Sequence, residues 1–133
     1  MVYGMTVRHP WLTEGVTCDP RPVWEIWDKF GIESAVMKGY WEKDCPVTVN
    51  NPDVHATVYQ KERESLIAVG SWAEEPAEFS FQFDWKALGL DPAKATLVAP
   101  YIKNFQDERS FRPDELIPVE PKKGWLIYVQ EKK

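Results

Sequence analysis

The sequence predicts an all-β fold, an antiparallel two-sheet β-sandwich with one short N-terminal α-helix, and three observations predict it. Phe79, Phe81, Phe83 and Trp85 alternate with Ser80, Gln82 and Asp84, and a period of two puts the four aromatics on one face of a strand. Leu66–Val69 is a short unbroken apolar run, as a strand covered on both faces requires. Finally, 11 Pro and 7 Gly among 133 residues favour many short elements joined by turns over long helices.

Each element follows in chain order. Residues 1–19 hold Tyr3, Arg8, His9 and Trp11 without a period, and Pro10, Gly15 and Pro20 mark the segment as irregular. Residues 20–31 are the predicted helix. Asp19 can cap its start, proline is tolerated in its first turn, and Gly31 stands where a left-handed cap ends it. Val23, Trp27 and Phe30 fall on one stripe at spacings of three and four. With Trp24 and Ile26 beside them, that face needs a large surface, supplied by the aromatic sheet or by a neighbouring domain.

Residues 32–41 read as a first strand, with a bend at 42–46 and a short strand at Val47–Val49. The Asn50-Asn51-Pro52-Asp53 turn ends that strand. Val54, Ala56 and Val58 then alternate with His55, Thr57 and Tyr59, and a charged turn at Glu62–Glu64 leads into Leu66–Val69. A hairpin is the simplest pairing. With the aromatic run after Pro76 it predicts a three-stranded meander. Residues 86–92 read as a turn or one helical turn. Residues 95–102 read as a strand in which Pro100 implies an edge position or a bulge. Phe111 opens a short strand, and Leu116–Val119 and Trp125–Val129 flank a turn where Pro121 sets φ and Gly124 permits a positive φ. Seven to nine short strands with turn chemistry between them match a sandwich.

The charge balance, 16 basic against 21 acidic residues, argues against nucleic acid as a partner, because no basic stripe could follow a phosphate backbone. No apolar run approaches the ~20 residues of a bilayer span, so no membrane role is expected. The first residues lack the apolar core of a signal peptide. The localisation therefore stays open between the cytoplasm and export directed from elsewhere in a longer protein. Cys18 and Cys45 read as free thiols, since a disulfide would need an oxidising compartment.

Chemistry-bearing patterns are sparse. His9, Cys18, Cys45 and His55 are the soft ligands, and no two have zinc-site spacing. No metal site is assigned, and no glycine-rich loop precedes a helix to hold a nucleotide cofactor. Nor does any serine or cysteine nucleophile have a base beside it. Glu25 and Asp28, with Glu33 nearby, read as solvated helix charges rather than a pair spanning a sugar. No catalytic residue is therefore assigned. Trp11, Tyr40, Trp41 and Tyr101 sit at element ends, where a flat ring could stack on the CH face of a sugar. The expected carbohydrate-contacting set is Arg8, His9, Trp11, Tyr40 and Trp41. The expected interface set is Trp24, Trp27 and Phe30.

Several runs resemble the end of large glycoside-hydrolase-like proteins, in which a catalytic (β/α)₈ barrel is followed by a C-terminal β-sandwich. They are Tyr3-Gly4-Met5-Thr6-Val7-Arg8, the stretch Pro20-Arg21-Pro22-Val23-Trp24-Glu25-Ile26-Trp27-Asp28-Lys29-Phe30-Gly31-Ile32, and Gly39-Tyr40-Trp41. Asn51-Pro52-Asp53-Val54-His55-Ala56-Thr57-Val58-Tyr59 and Ala68-Val69-Gly70-Ser71-Trp72-Ala73 look like early sandwich strands. Asp84-Trp85-Lys86-Ala87-Leu88-Gly89-Leu90-Asp91 followed by Ala95-Thr96-Leu97 resembles a recurring phrase of such sandwiches. The resemblance implies that residues 1–33 are a loop and helix left from the barrel and residues 34–133 the sandwich. It implies a non-catalytic accessory domain whose partner is the preceding barrel. The alternatives are a carbohydrate-binding module holding an oligosaccharide, or a domain that self-associates through the helix face. No position matches a catalytic acid or nucleophile of such enzymes.

Overall fold

A computed structural model of the chain describes residues 21–102, 106–121 and 124–131. Among the described residues helix α1 spans Arg21–Phe30, ending one residue before its sequence pattern does. Gly31 ends it with φ of 76°, and its N–H donates to the Trp27 carbonyl at 2.9 Å. That is the left-handed cap glycine permits without strain. Lys61 completes the cap: its Nζ donates to the Phe30 carbonyl at 2.6 Å, a cation at the negative end of the helix dipole. The expected cap residue Asp19 lies outside the described residues.

Ten strands follow among the described residues. They are β1 (Val36–Lys38), β2 (Val47–Val49), β3 (Val54–Gln60), β4 (Glu64–Ser71) and β5 (Ala77–Phe79), then β6 (Phe81–Phe83), β7 (Ala95–Ala99), β8 (Arg109–Phe111), β9 (Ile117–Val119) and β10 (Gly124–Glu131). A four-residue helix α2 (Trp85–Leu88) lies between β6 and β7. Asp84 caps α2 by accepting from the Ala87 N–H at 3.1 Å, and Gly89 closes it with φ of 70°. Residues 32–34 form a short 3₁₀ turn, so β1 is shorter than the 32–41 stretch expected.

Six strands form one antiparallel sheet in the order β1-β3-β4-β10-β7-β8. Two ribbons, β2-β6 and β5-β9, make the second layer. The architecture is mostly β and sandwich-like, as the alternation patterns require.

The β3–β4 hairpin forms as its turn chemistry dictates, but the three-stranded meander does not. The neighbour of β4 is β10, paired from Gly124↔Gly70 to Gln130↔Glu64. The reason is length. Both strands run eight residues, and a strand buried on both faces is best matched by one equally long and apolar. The aromatic run instead breaks at Ser80, whose N–H donates to Asn50 Oδ1 at 2.9 Å. Its two halves join different partners in the second layer, β9 and β2. The one-face prediction for its rings still holds: Phe79, Phe81, Phe83 and Trp85 touch in series at 5.2, 5.3 and 4.4 Å between centroids.

Alternation on β3, β4 and β10 sends side chains to two cores. Val54, Ala56, Val58, Ile67, Val69, Ile127 and Val129 face the second layer and pack with Phe79, Phe81, Leu88, Ile117 and Val119. Tyr59, Leu66, Ala68 and Leu126 face the other way, against Ile26, Trp27 and Phe30 of α1. The helix stripe is therefore covered by the chain's own sheet. Trp27 and Phe30, expected at an interface with another body, are buried at 8% and 2% exposure, and of that set only Trp24 stays half-buried.

One proline and one glycine act differently from expectation. Pro100 marks neither an edge nor a bulge. β7 is flanked by β10 and β8, and it ends at Ala99. The register pairs Tyr128 with Val98, so two positions on it would set Leu126 against Pro100, which has no N–H to give. Gln106 fills that gap. Its side-chain amide donates to the Leu126 carbonyl at 2.9 Å and the Pro100 carbonyl at 2.7 Å, and its Oε1 accepts from the Leu126 N–H at 2.9 Å. Gly124 does not take a positive φ; among the described glycines Gly31 and Gly89 do. It is required for close approach, because a Cβ there would overlap the Val69 carbonyl of β4 and stand 2.9 Å from its carbon.

Candidate functional site

The carbohydrate set from the sequence divides here. Arg8, His9 and Trp11 lie outside the described residues. Tyr40 and Trp41 are brought together in the turn after β1. The Glu42 N–H donates to the Gly39 carbonyl at 2.9 Å, and the Gly39 N–H donates to the Glu42 carboxylate at 2.6 Å. Gly39 is needed because the Trp41 ring lies directly over it; a Cβ would stand 2.5 Å from the ring.

Lys38 and Asp44 clasp the base of the turn, Nζ to Oδ2 at 2.6 Å. Their hydrogen bond and mutual attraction raise the Lys38 pKa and lower that of Asp44. Inside the turn the Cys45 thiol donates to the Lys38 and Val47 carbonyls at 3.5 and 3.3 Å. Burial is the main cause pushing its pKa up, and Cys45 is a free, half-buried thiol. Cys18 lies outside the described residues.

The turn sets Tyr40 against residues the sequence did not single out. His55 read as an outward strand residue, yet its ring lies 4.4 Å from Tyr40 and 4.7 Å from Trp72. Tyr40 also meets Trp41 at 5.2 Å and Trp72 at 6.1 Å. Trp72 is held in place by its own backbone, whose N–H donates to the Asp53 carbonyl at 2.8 Å. These four rings share the α1-facing side of the large sheet, at the open end of the β3–β4 hairpin. The signal for them was present: His55 pairs with Gly70 across the hairpin, and Trp72 lies two residues further. What the sequence could not supply was the turn that folds Tyr40 onto them.

The rings interlock rather than align. Tyr40 meets Trp41 at 82° and His55 meets Trp72 at 77°, the edge-to-face geometry aromatic quadrupoles favour. Trp41 is 53% exposed and Trp72 38%. Tyr40 and His55 lie nearer to parallel, at 32°, so the four rings form a mixed knob and not one coplanar row. Tyr101, weighed with them from the sequence, is exposed at the end of β7 and touches none of these rings. Among the described residues no three potential metal ligands gather, and no helix is long and apolar enough to cross a membrane.

The chain matches the family described as glycoside hydrolase 123, C-terminal domain, over residues 19–130. It belongs to that family. The match takes in α1 together with all ten strands except the last residue of β10, and it agrees with the resemblance drawn from the sequence. No curated protein and no solved structure matches the chain.

Proposed function

We propose that this glycoside hydrolase 123 C-terminal domain is a non-catalytic accessory module that docks on the catalytic barrel of its own protein. The Tyr40–Trp41–His55–Trp72 knob would be the contact. The observation that carries this is the ring geometry. A sugar-stacking platform wants exposed, roughly coplanar faces, whereas edge-to-face rings with a half-exposed Trp41 suit a pocket on another protein surface. Tryptophans of this kind dominate interface energies, each contributing about 2 kcal/mol or more when truncated to alanine. The burial of Trp27 and Phe30 speaks for docking through the knob instead of through the helix face. It also favours treating α1 as part of this domain rather than as barrel.

The test uses the full-length protein containing the barrel and this domain. Trp41→Ala with Trp72→Ala should lower the barrel's melting temperature and open the interdomain linker to protease, with catalytic chemistry assigned wholly to the barrel. Unchanged barrel melting, alongside quenching of this domain's tryptophans by oligosaccharide, would transfer the knob to the carbohydrate-binding reading.

A further inference from the structure

A second feature occupies the same end of the sandwich on the opposite face. A cleft of about 580 Å³ opens where the β5–β9 ribbon splays from the start of β10. Trp125 forms one wall, with Pro76 and Pro118 beside it, and Glu78, Asp107 and Glu120 stand round the rim. Trp125 points toward the second layer because it alternates with Leu126, which faces α1. Two contacts fix its ring. The indole N–H donates to the Pro118 carbonyl at 2.8 Å, and the ring meets Phe111 edge-on at 5.5 Å and 85°. With its only donor engaged, Trp125 offers the cleft an apolar surface held in a single orientation. Two structural devices already described shape the walls: Gly124 lets β10 press against β4, and Gln106 locks Leu126.

We propose that this cleft binds one neutral hexopyranose unit of a glycan, with the ring's CH face on Trp125 and its hydroxyls donating to the rim carboxylates. Three properties select that ligand class. A fixed indole complements a flat CH face. Carboxylates are pure acceptors when ionised, matching the several O–H donors of a sugar, and bonds to charged acceptors are the stronger kind. The volume lies within the range of small-molecule sites and exceeds what one pyranose ring needs. The site is separate from the barrel-docking knob, which is on the α1 side, so either reading can fail alone.

Saturation-transfer NMR tests it on the intact chain with methyl hexopyranosides as probes and choline as a control of similar size. Choline is a cation without a ring of hydroxyls. Saturable transfer to the pyranoside CH protons is expected. It should weaken about tenfold in Glu78→Gln with Asp107→Asn, the loss of one to two charge-assisted bonds. Both residues are exposed, so the double variant should melt as wild type does. Trp125→Phe, which keeps a ring on Phe111, should weaken binding as well. Equal or better binding of choline would overturn the proposal in favour of a simple cation site. So would absence of saturable transfer from every pyranoside, or binding indifferent to both variants.

Discussion

Gln106→Ala should be the most damaging polar substitution in the described chain. The amide occupies the place a strand residue would take opposite Leu126, and it satisfies both the N–H and the C=O of that residue. Leu126 is 4% exposed and packed between α1 and the sheet, so water cannot easily replace the missing partner. Each buried backbone group left unpaired costs about 1–3 kcal/mol. Two such groups, with the Pro100 carbonyl partly rehydrated, give a loss of about 3 kcal/mol. For a domain of this size that corresponds to a melting temperature lower by about 10 °C. Urea unfolding monitored by tryptophan fluorescence measures it, with an unchanged m-value showing that the folded state stays compact. Gln82→Ala on exposed β6 is the control, expected within about 0.5 kcal/mol of wild type. Gln106→Glu sharpens the argument: an ionised carboxylate has no donor for the Leu126 and Pro100 carbonyls. Its folded pKa would rise above the unfolded value of about 4.3. The variant should therefore regain stability relative to wild type as pH falls toward that value, and lose it as pH rises. If Gln106→Ala and Gln82→Ala unfold at the same urea concentration, the ladder-splice account is wrong.

Other predictions follow from the same geometry. Gly124→Ala should destabilise more than Gly89→Ala. The first drives a Cβ into the Val69 backbone, whereas the second bears the left-handed strain of about 1–2 kcal/mol and a milder 3.3 Å contact with the Glu62 carbonyl oxygen; comparing their chemical denaturation midpoints decides it. In a Cys18→Ser background, Cys45 should react with a disulfide reagent at pH 8 much more slowly than a free cysteine. Its rate should climb only as pH passes above the ordinary thiol range, because burial raises its pKa. Lys61→Met should free the α1 C-terminus and lower far-UV helical signal at a lower temperature than in wild type, by removing a cation from the Phe30 carbonyl. An equal melting curve would show that the stripe packing alone holds the helix.

Legibility in the sequence tracked how local the determining physics was. The α1 stripe, the Gly31 cap, the β3–β4 hairpin and the one-face aromatic series were readable because each is fixed by neighbours within a few residues. Pairing of β4 with β10 was not, since it depends on matching the length and double burial of two strands far apart in the chain. Pro100 was read as an edge or a bulge, whereas the strand ends just before it. That Gln106 would supply the missing donor is a tertiary fact with no periodic signature. Gly124 carried a glycine signal, but its cause was proximity to Val69 instead of a turn. For the site, Tyr40 and Trp41 were legible as aromatics at an element end. His55 and Trp72 were hidden because each looks like an ordinary member of its strand until the register lays them side by side.

The covering of both sheet faces constrains where this domain can meet anything else. Over β3, β4 and β10 one face of the six-stranded sheet is covered by α1 and the other by the second layer, with Leu66, Ile67, Val58 and Ile127 all at 0% exposure. Of the exposed large apolar side chains, Val36 lies at the Glu62–Glu64 end, beside Gln60, whereas Trp41, Trp72 and Tyr101 lie at the other. The register that pairs His55 with Gly70 and Gly124 with Gly70 sets Trp41, Trp72 and the cleft beside Trp125 at the same level, and exposed Tyr101 follows the end of β7 there. The opposite end is closed by the Glu62–Glu64 turn and by α2, where Gln60 Nε2 donates to the Ala87 carbonyl at 2.6 Å. The barrel docking and the sugar binding proposed above would both use the end that carries Trp41 and Trp125. Substitutions at Trp41 and Trp125 should act on binding, while those along the sheet faces should act on folding alone.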